Sequence, residues 1–219
     1  MKTLIKKIKV SAKLRLETGL HIGGSKDNVE IGGIDTPVIK IATRKNQPYI
    51  PGSSLKGKIR SLLEQINGKE LCGDDNINDL FGFTKGNNNS QGSKIIVRDS
   101  YLDETSIELL KNASDNLDMP YTENKFENTI DRVKGVTKKG GIRQIERIPA
   151  GVTFDVEFII NVWDNEEDGK KSLDLLKKGI AALENDYLGG SGSRGYGQVK
   201  FSELKTEDIY FDKYFENEN

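Results

Sequence analysis

Strict two-residue alternation governs two long stretches of this chain, and nothing else in it restricts the fold as much. In "IKVSAKLRL" (residues 8–16) the apolar Ile8, Val10, Ala12, Leu14 and Leu16 stand at even positions, while Lys7, Lys9, Lys13 and Arg15 stand at odd ones. Successive side chains of a strand point to opposite faces, so this spacing predicts one buried and one basic face. "VTFDVEFIINVW" (152–163) repeats the pattern through Val152, Phe154, Val156, Phe158 and Ile160. Both stretches read as core strands.

Between and around them the period changes. Ser53 or Ser54 is placed to cap a helix in which Leu55, Ile59, Leu62, Leu63 and Ile66 follow the helical period, and Gly68 is placed to end it. "KIIVRDSYL" (94–102) reads as a strand, and "GKKSLDLLKKGIAALEND" (169–186) sets Leu173, Leu176, Ile180 and Leu183 on one helical face. "YGQVKFSEL" (196–204) closes the set as a strand. The order β-α-β-β-α-β predicts an α+β, ferredoxin-like fold with an antiparallel sheet, an arrangement shared with RNA-recognition modules. The chain is expected to be a single domain over 1–219, with insertions at 19–51 and 103–151 and an acidic tail at 206–219. Both insertions exceed ordinary connections, and long loops on a compact scaffold usually carry function.

Composition narrows the function classes. No apolar run approaches a membrane span, and "MKTLIKKIKV" alternates instead of opening into a secretory apolar region, so a cytoplasmic location is expected. The single cysteine, Cys72, excludes an internal disulfide, and with a single histidine, His21, zinc chemistry is not expected. Residues 1–70 hold 14 Lys and Arg against 6 Asp and Glu, a net of +8, which leaves −9 for the rest of a chain whose total is −1. A basic first third set against an acidic remainder suits either a solvated face or a polyanionic partner.

Two nucleotide-binding motifs are approached and missed. Gly52, Gly57 and Lys58 in "PGSSLKGKI" (51–59) match a phosphate loop, but Ile59 occupies the position of the metal-ligating hydroxyl. Gly190, Gly192 and Gly195 in "GGSGSRGYG" (189–197) match a dinucleotide fingerprint, but they follow a helix and precede a strand, the reverse of what a pyrophosphate site needs. What survives is a glycine loop whose backbone N–H groups could approach an anion, beside Arg194, or simply a permissive turn. If the alternation of the first strand runs on through Leu20 and Ile22, His21 lies on the basic face with Lys13 and Arg15. Asp35, before Thr36 and Pro37, reads on its own as a turn former.

Taken together, "RLETGLHIGG" (15–24), "IGGIDTPVIK" (31–40), "IPGSSLKGKIR" (50–60), "KFENTIDR" (125–132), "RQIER" (143–147) and "DYLGGSGSRGYG" (186–197) change that picture. In this order they resemble the repeating backbone subunit of the Csm complex, the type III-A CRISPR effector, a member of the RAMP superfamily. The resemblance spans nearly the whole chain, leaving out 67–93, 103–120 and the acidic tail. It implies a subunit that binds CRISPR guide RNA and forms a filament with copies of itself. It further implies assembly with other Csm subunits, including the large polymerase-like and the small subunit, and cleavage of complementary target RNA at regular intervals. His21, Ser53, Ser54, Lys56, Arg132 and Arg194 would contact RNA. Asp35 would be the cleavage residue, as metal ligand or as base, in a reaction that depends on Mg²⁺ or another divalent cation. There the RNA's own 2′-hydroxyl attacks and leaves a cyclic phosphate. Residues 121–148, with Arg132, Lys134, Lys138, Lys139, Arg143 and Arg147, would form the family's projecting thumb hairpin, with "GVTKKGG" (135–141) at its tip, inserted into the guide–target duplex. The competing readings are a non-catalytic RNA-binding scaffold of the same superfamily, in which Asp35 only shapes a loop, and a stand-alone nucleotide-binding enzyme, against which Ile59 speaks.

Overall fold

The computed structural model describes residues 3–24, 36–68, 72–85, 89–164 and 168–210. The chain runs through β1 (Leu4–Leu16), β2 (Lys40–Ile41), β3 (Gln47–Ile50), α1 (Gly52–Asn67) and α2 (Asp75–Phe81). Four short strands follow, β4 (Phe83–Lys85), β5 (Asn89–Gln91), β6 (Ile95–Val97) and β7 (Ser100–Leu102), and then α3 (Glu104–Asn112). The last part holds β8 (Glu123–Asp131), β9 (Val136–Arg147), β10 (Thr153–Trp163), α4 (Lys170–Glu184) and β11 (Val199–Tyr210).

The main sheet has the order β11-β1-β10-β7-β3-β2, with β6 also on β10. Its pairings are antiparallel. With β6 and β7 counted as one strand, the core strands stand fourth, first, third, second across the sheet, which is the ferredoxin-like order. β1 pairs β10 from Leu4↔Trp163 to Arg15↔Thr153, so the two alternating stretches lie side by side and their apolar residues share a face. Val10, Leu14, Phe154 and Phe158 on that face pack against Leu55, Ile59 and Leu63 of α1 and Leu176, Ile180 and Leu183 of α4. Burial of each such side chain contributes ~1.5–3 kcal/mol. Among the described residues no helix is long and apolar enough to cross a membrane.

The opposite face of β1 is less basic than its sequence suggests. Lys9 pairs with Glu157 at 3.2 Å, and Lys13 with Asp155 at 2.8 Å and Asp103 at 3.2 Å. The neighbouring strand β10 supplies two of these three carboxylates, so pairing in the sheet neutralises a stripe that looks cationic in isolation. Lys6 inverts the pattern: it sits on the helix-covered face, 2% exposed, with Asp168 and Asp208 on its ammonium. Burial, the largest single influence, lowers its pKa, but the hydrogen bonds and charges of the two carboxylates together outweigh it and raise the value overall.

Several local expectations need correcting. Neither Ser53 nor Ser54 caps α1; Pro51 precedes the first helical residue, and the N–H of Gly52 donates to the Asp99 carboxylate at 2.8 Å. The cap therefore comes from the strand region alongside. The stretch 94–102 is two strands, because one extra residue stands between Val97↔Phe158 and Tyr101↔Asp155, and this bulge holds Asp99. The hairpin turns at 132–135 and not at "GVTKKGG", most of which belongs to β9. There Asn128↔Ile142 is followed by Ile130↔Thr137, which leaves 138–141 as a bulge on one strand. The closing strand runs on through Tyr210, so 206–210 of the acidic tail pairs with β1, and residues 211–219 lie outside the described residues.

Candidate nucleic-acid interface

His21 does not continue the face of β1. That strand ends at Leu16, and Leu20 is re-anchored to the far end of the hairpin by paired hydrogen bonds with Ile148, 2.9 and 2.8 Å. Leu20 and Ile22 point into the core, and the half-buried His21 ring donates from Nδ1 to the Glu146 carbonyl at 2.7 Å. The carbonyl accepts only from an N–H, so Nε2 is the nitrogen left for a ligand. The glycine loop closes over this segment. Gly190 N–H donates to the His21 carbonyl at 2.9 Å, and Gly197 N–H to the Gly19 carbonyl at 3.0 Å. A Cβ on Gly189 would stand 2.3 Å from the His21 oxygen, at φ +74, so only glycine permits this approach. Two of the amides that looked available for an anion are thus spent on holding the His21 segment.

His21, Thr36, Arg143, Gln144, Ile145, Ser191 and Arg194 line one recess of about 200 Å³. Arg143 from β9 and Arg194 from the glycine loop meet at one acid: Glu127 of β8, whose side chain is 8% exposed, lies 2.8 Å from Arg143 and 3.2 Å from Arg194. Burial works against the Glu127 charge, but the hydrogen bonds from Arg143 and the charge of Arg194 hold its carboxyl below the usual range. The buried Tyr196 hydroxyl faces the same carboxylate without meeting hydrogen-bond geometry. Burial first, then Glu127, pushes its pKa up to about 12. Lys125 lies over the Tyr196 ring at 4.3 Å and Arg147 at 5.4 Å. The inner side of the hairpin and the glycine loop thereby form one cationic surface gathered on one tyrosine and two glutamates, Glu127 and the Glu123 that lies 2.5 Å from Arg147.

The other expected contacts fall on two further elements. Ser53 and Ser54 occupy the first turn of α1, whose leading N–H is already taken by Asp99. Lys56 donates to Ser93 Oγ at 2.7 Å, and burial, followed by the nearby Arg60, lowers its pKa. Lys58 stands 3.8 Å over the Tyr187 ring and 3.3 Å from Asp186, which ties α1 to the residues leading into the glycine loop. Arg132 sits in the hairpin turn and is exposed. Paired residues share a face, so Phe126, Ile130 and Ile142 lie together on the outer side of the hairpin, and Val133 at its turn is 94% exposed.

Asp35 lies outside the described residues; its neighbour Thr36 is held by the Glu146 N–H, which donates to the Thr36 carbonyl at 3.3 Å. Among the described residues no group of three or more His, Cys, Asp or Glu could hold a metal. Glu127 is occupied by two arginines and Glu146 by three donors, so the described residues do not fit a protein-held divalent ion. Sequence reasoning missed Glu127, Glu146, Tyr187 and Tyr196. All four lie within "KFENTIDR", "RQIER" and "DYLGGSGSRGYG", the strings that carry the family resemblance and could have singled them out; read by period alone, an acid in a mixed strand or a tyrosine beside glycines reads as solvated until its neighbours are known.

A β-α-β-β-α-β sheet carrying a projecting hairpin, with a histidine and an arginine brought together under a glycine loop, defines a class of protein. The chain belongs to the RAMP superfamily, whose family model matches residues 13–200. Within the superfamily it falls in the Csm3 family. It is 42% identical to the "CRISPR system Cms endoribonuclease Csm3" of Methanocaldococcus jannaschii, over 99% of this chain and 87% of that protein. It is 45% identical to the protein of the same name from Streptococcus thermophilus, over 93% of this chain and 91% of that one. Among solved structures, the chain matches the crystal structure of a Csm3–Csm4 subcomplex in the type III-A CRISPR-Cas interference complex. That match has a TM-score of 0.63 and 32% identity, over 99% of this chain and 87% of the other. A type III-B Cmr-β complex bound to cognate target RNA shares the fold, with a TM-score of 0.61 at 20% identity over 94% of this chain and 61% of that one.

Proposed function

We propose that this chain is the guide-binding filament subunit of a type III-A interference complex, and that it cleaves complementary target RNA at regular intervals. The observation that carries this reading is the end-to-end match to proteins named Csm3 endoribonucleases, 42% and 45% identical over 99% and 93% of the chain. The partners are a CRISPR guide RNA, complementary target RNA, copies of the chain itself and other subunits of the complex, a Csm4-type subunit and the large and small subunits among them. Base pairing with the guide selects the target, and protein contacts to phosphate set the register.

His21, through Nε2, and Arg194 supply the guide contacts at the recess, with Ser53, Ser54 and Lys56 along the start of α1 and Arg132 at the hairpin turn. Asp35 is the cleavage residue, and a divalent cation, when bound, would supply charge neutralisation at the reacting phosphate. The described residues do not build a cage for that ion. The test is cleavage of guide-complementary RNA by the assembled complex, wild type against Asp35→Ala, with and without Mg²⁺. Regularly spaced products that vanish in the variant while guide RNA stays bound are expected. Undiminished cutting by the variant would reduce the chain to a guide-binding scaffold.

A further inference from the structure

Glu146 lies near the end of β9, with its side chain 1% exposed. Its carboxylate takes three donors from two other parts of the chain. Oε2 accepts from the Val38 N–H at 2.8 Å, and Oε1 from the Thr122 hydroxyl at 2.6 Å and from the Lys40 ammonium at 2.5 Å. Its backbone is engaged as well, the N–H with the Thr36 carbonyl at 3.3 Å and the carbonyl with His21 Nδ1 at 2.7 Å. One residue therefore touches Thr36, Val38 and Lys40 on the segment that follows Asp35, His21 on the opposite side, and Thr122 at the root of the hairpin.

The segment it grips is pinned from a second direction. Ile39 N–H donates to the Ile22 carbonyl and Gly24 N–H to the Pro37 carbonyl, both at 2.9 Å, so 22–24 and 37–39 run antiparallel. This ladder fixes the two chain ends relative to each other. Leu20 ties the first of these segments to the hairpin through Ile148, and Glu146, with its neighbour Ile145 bridged to Thr36, ties the second, 36–40, through its carboxylate bonds. A buried carboxylate with three good donors is a directional joint, and a buried polar group of this kind specifies one geometry where apolar packing would tolerate several.

We infer that Glu146 is a positioning residue for target cleavage. Its carboxylate locks the segment immediately after Asp35 onto the base of the hairpin, so that cutting depends on its charge and geometry, whereas the His21 ring is held by the backbone carbonyl, which a change of side chain leaves in place for guide binding. This inference rests on the reading of Asp35 as the cleavage residue.

The test compares assembled, guide-loaded complexes carrying Glu146→Gln, Lys40→Met, the double variant Glu146→Gln/Lys40→Met, and Asp35→Ala. The amide keeps an acceptor for Val38 and a partner for the Thr122 hydroxyl but turns an NH₂ toward the Lys40 ammonium. Glu146→Gln should therefore lose at least tenfold in the single-turnover cleavage rate at saturating target RNA. The target concentration for half-maximal rate, the guide content and the melting temperature of the complex should stay near wild type. Removing the ammonium in the double variant should restore most of the rate. A full rate in Glu146→Gln with Asp35→Ala inactive would overturn this inference alone, whereas full cutting by Asp35→Ala would remove the reading beneath it. Loss of guide or of assembly in step with loss of cutting, or a double variant no faster than Glu146→Gln, would make Glu146 a purely structural residue and also overturn it.

Discussion

Replacing Glu127 with glutamine removes a charge while leaving the shape of the side chain nearly unchanged, and the structure sets the size of the effect. The Glu127 side chain is 8% exposed, and its partners Arg143 and Arg194, at 2.8 and 3.2 Å, are 47% and 50% exposed. A hydrogen bond to a charged group is worth ~1.5–3 kcal/mol when both sides are dry, and an exposed pair ~0–1 kcal/mol. With the acid buried and both guanidinium groups half in solvent, Glu127→Gln should cost about 1–2 kcal/mol at neutral pH, or about 2–8 °C in Tm for a domain of this length. The sign of the pH dependence follows from the depressed carboxyl, which burial opposes and Arg143 and Arg194 enforce. Such a group contributes its stability in full above its unfolded pKa and loses it as pH falls through the lower, folded value. Thermal melts of the purified subunit should therefore show wild type above the variant at pH ~7, with the gap closing as pH drops below the ordinary glutamate range. A gap of unchanged size down to pH ~3, or none at pH ~7, would refute the assignment of Glu127 as the shared anion of the two arginines.

Two further outcomes follow from the same geometry. Gly52→Ala would place a Cβ 2.2 Å from the Val97 carbonyl oxygen, and neither the helix start nor the strand can yield cheaply; urea denaturation should show a loss of ~1–3 kcal/mol or more, and an unchanged midpoint would mean that α1 docks differently. Arg132→Ala, at the exposed hairpin turn, should leave the melting temperature of the subunit within error while lowering the salt dependence of RNA binding by the assembled complex. One lost phosphate contact changes the slope of log K against log salt by about 0.7–0.9, and an identical slope would remove Arg132 from the interface.

What the sequence determined by itself is whatever depends on period and order. Alternation in 8–16 and 152–163 was enough to place two strands with their apolar residues on a common face, and those strands are neighbours, β1 and β10. The helical spacing from Leu55 to Leu63 and from Leu173 to Leu183 likewise marked the two helices that cover that face, and Gly68 in the left-handed conformation ends the first of them. These signals are legible because each is local: side-chain direction follows from the backbone repeat within a few residues. The tertiary structure alone decided which polar groups meet. Asp99 caps α1 from the bulge between β6 and β7, Lys6 is buried because Asp168 and Asp208 reach it, and Glu127 and Glu146 turn from ordinary hairpin acids into the anchors of Arg143, Arg194, Lys40 and Val38. A charged side chain carries no sign in the sequence of whether water or a partner will satisfy it. That is settled only when segments more than a hundred residues apart, such as His21 and Glu146, are brought within a hydrogen bond's length.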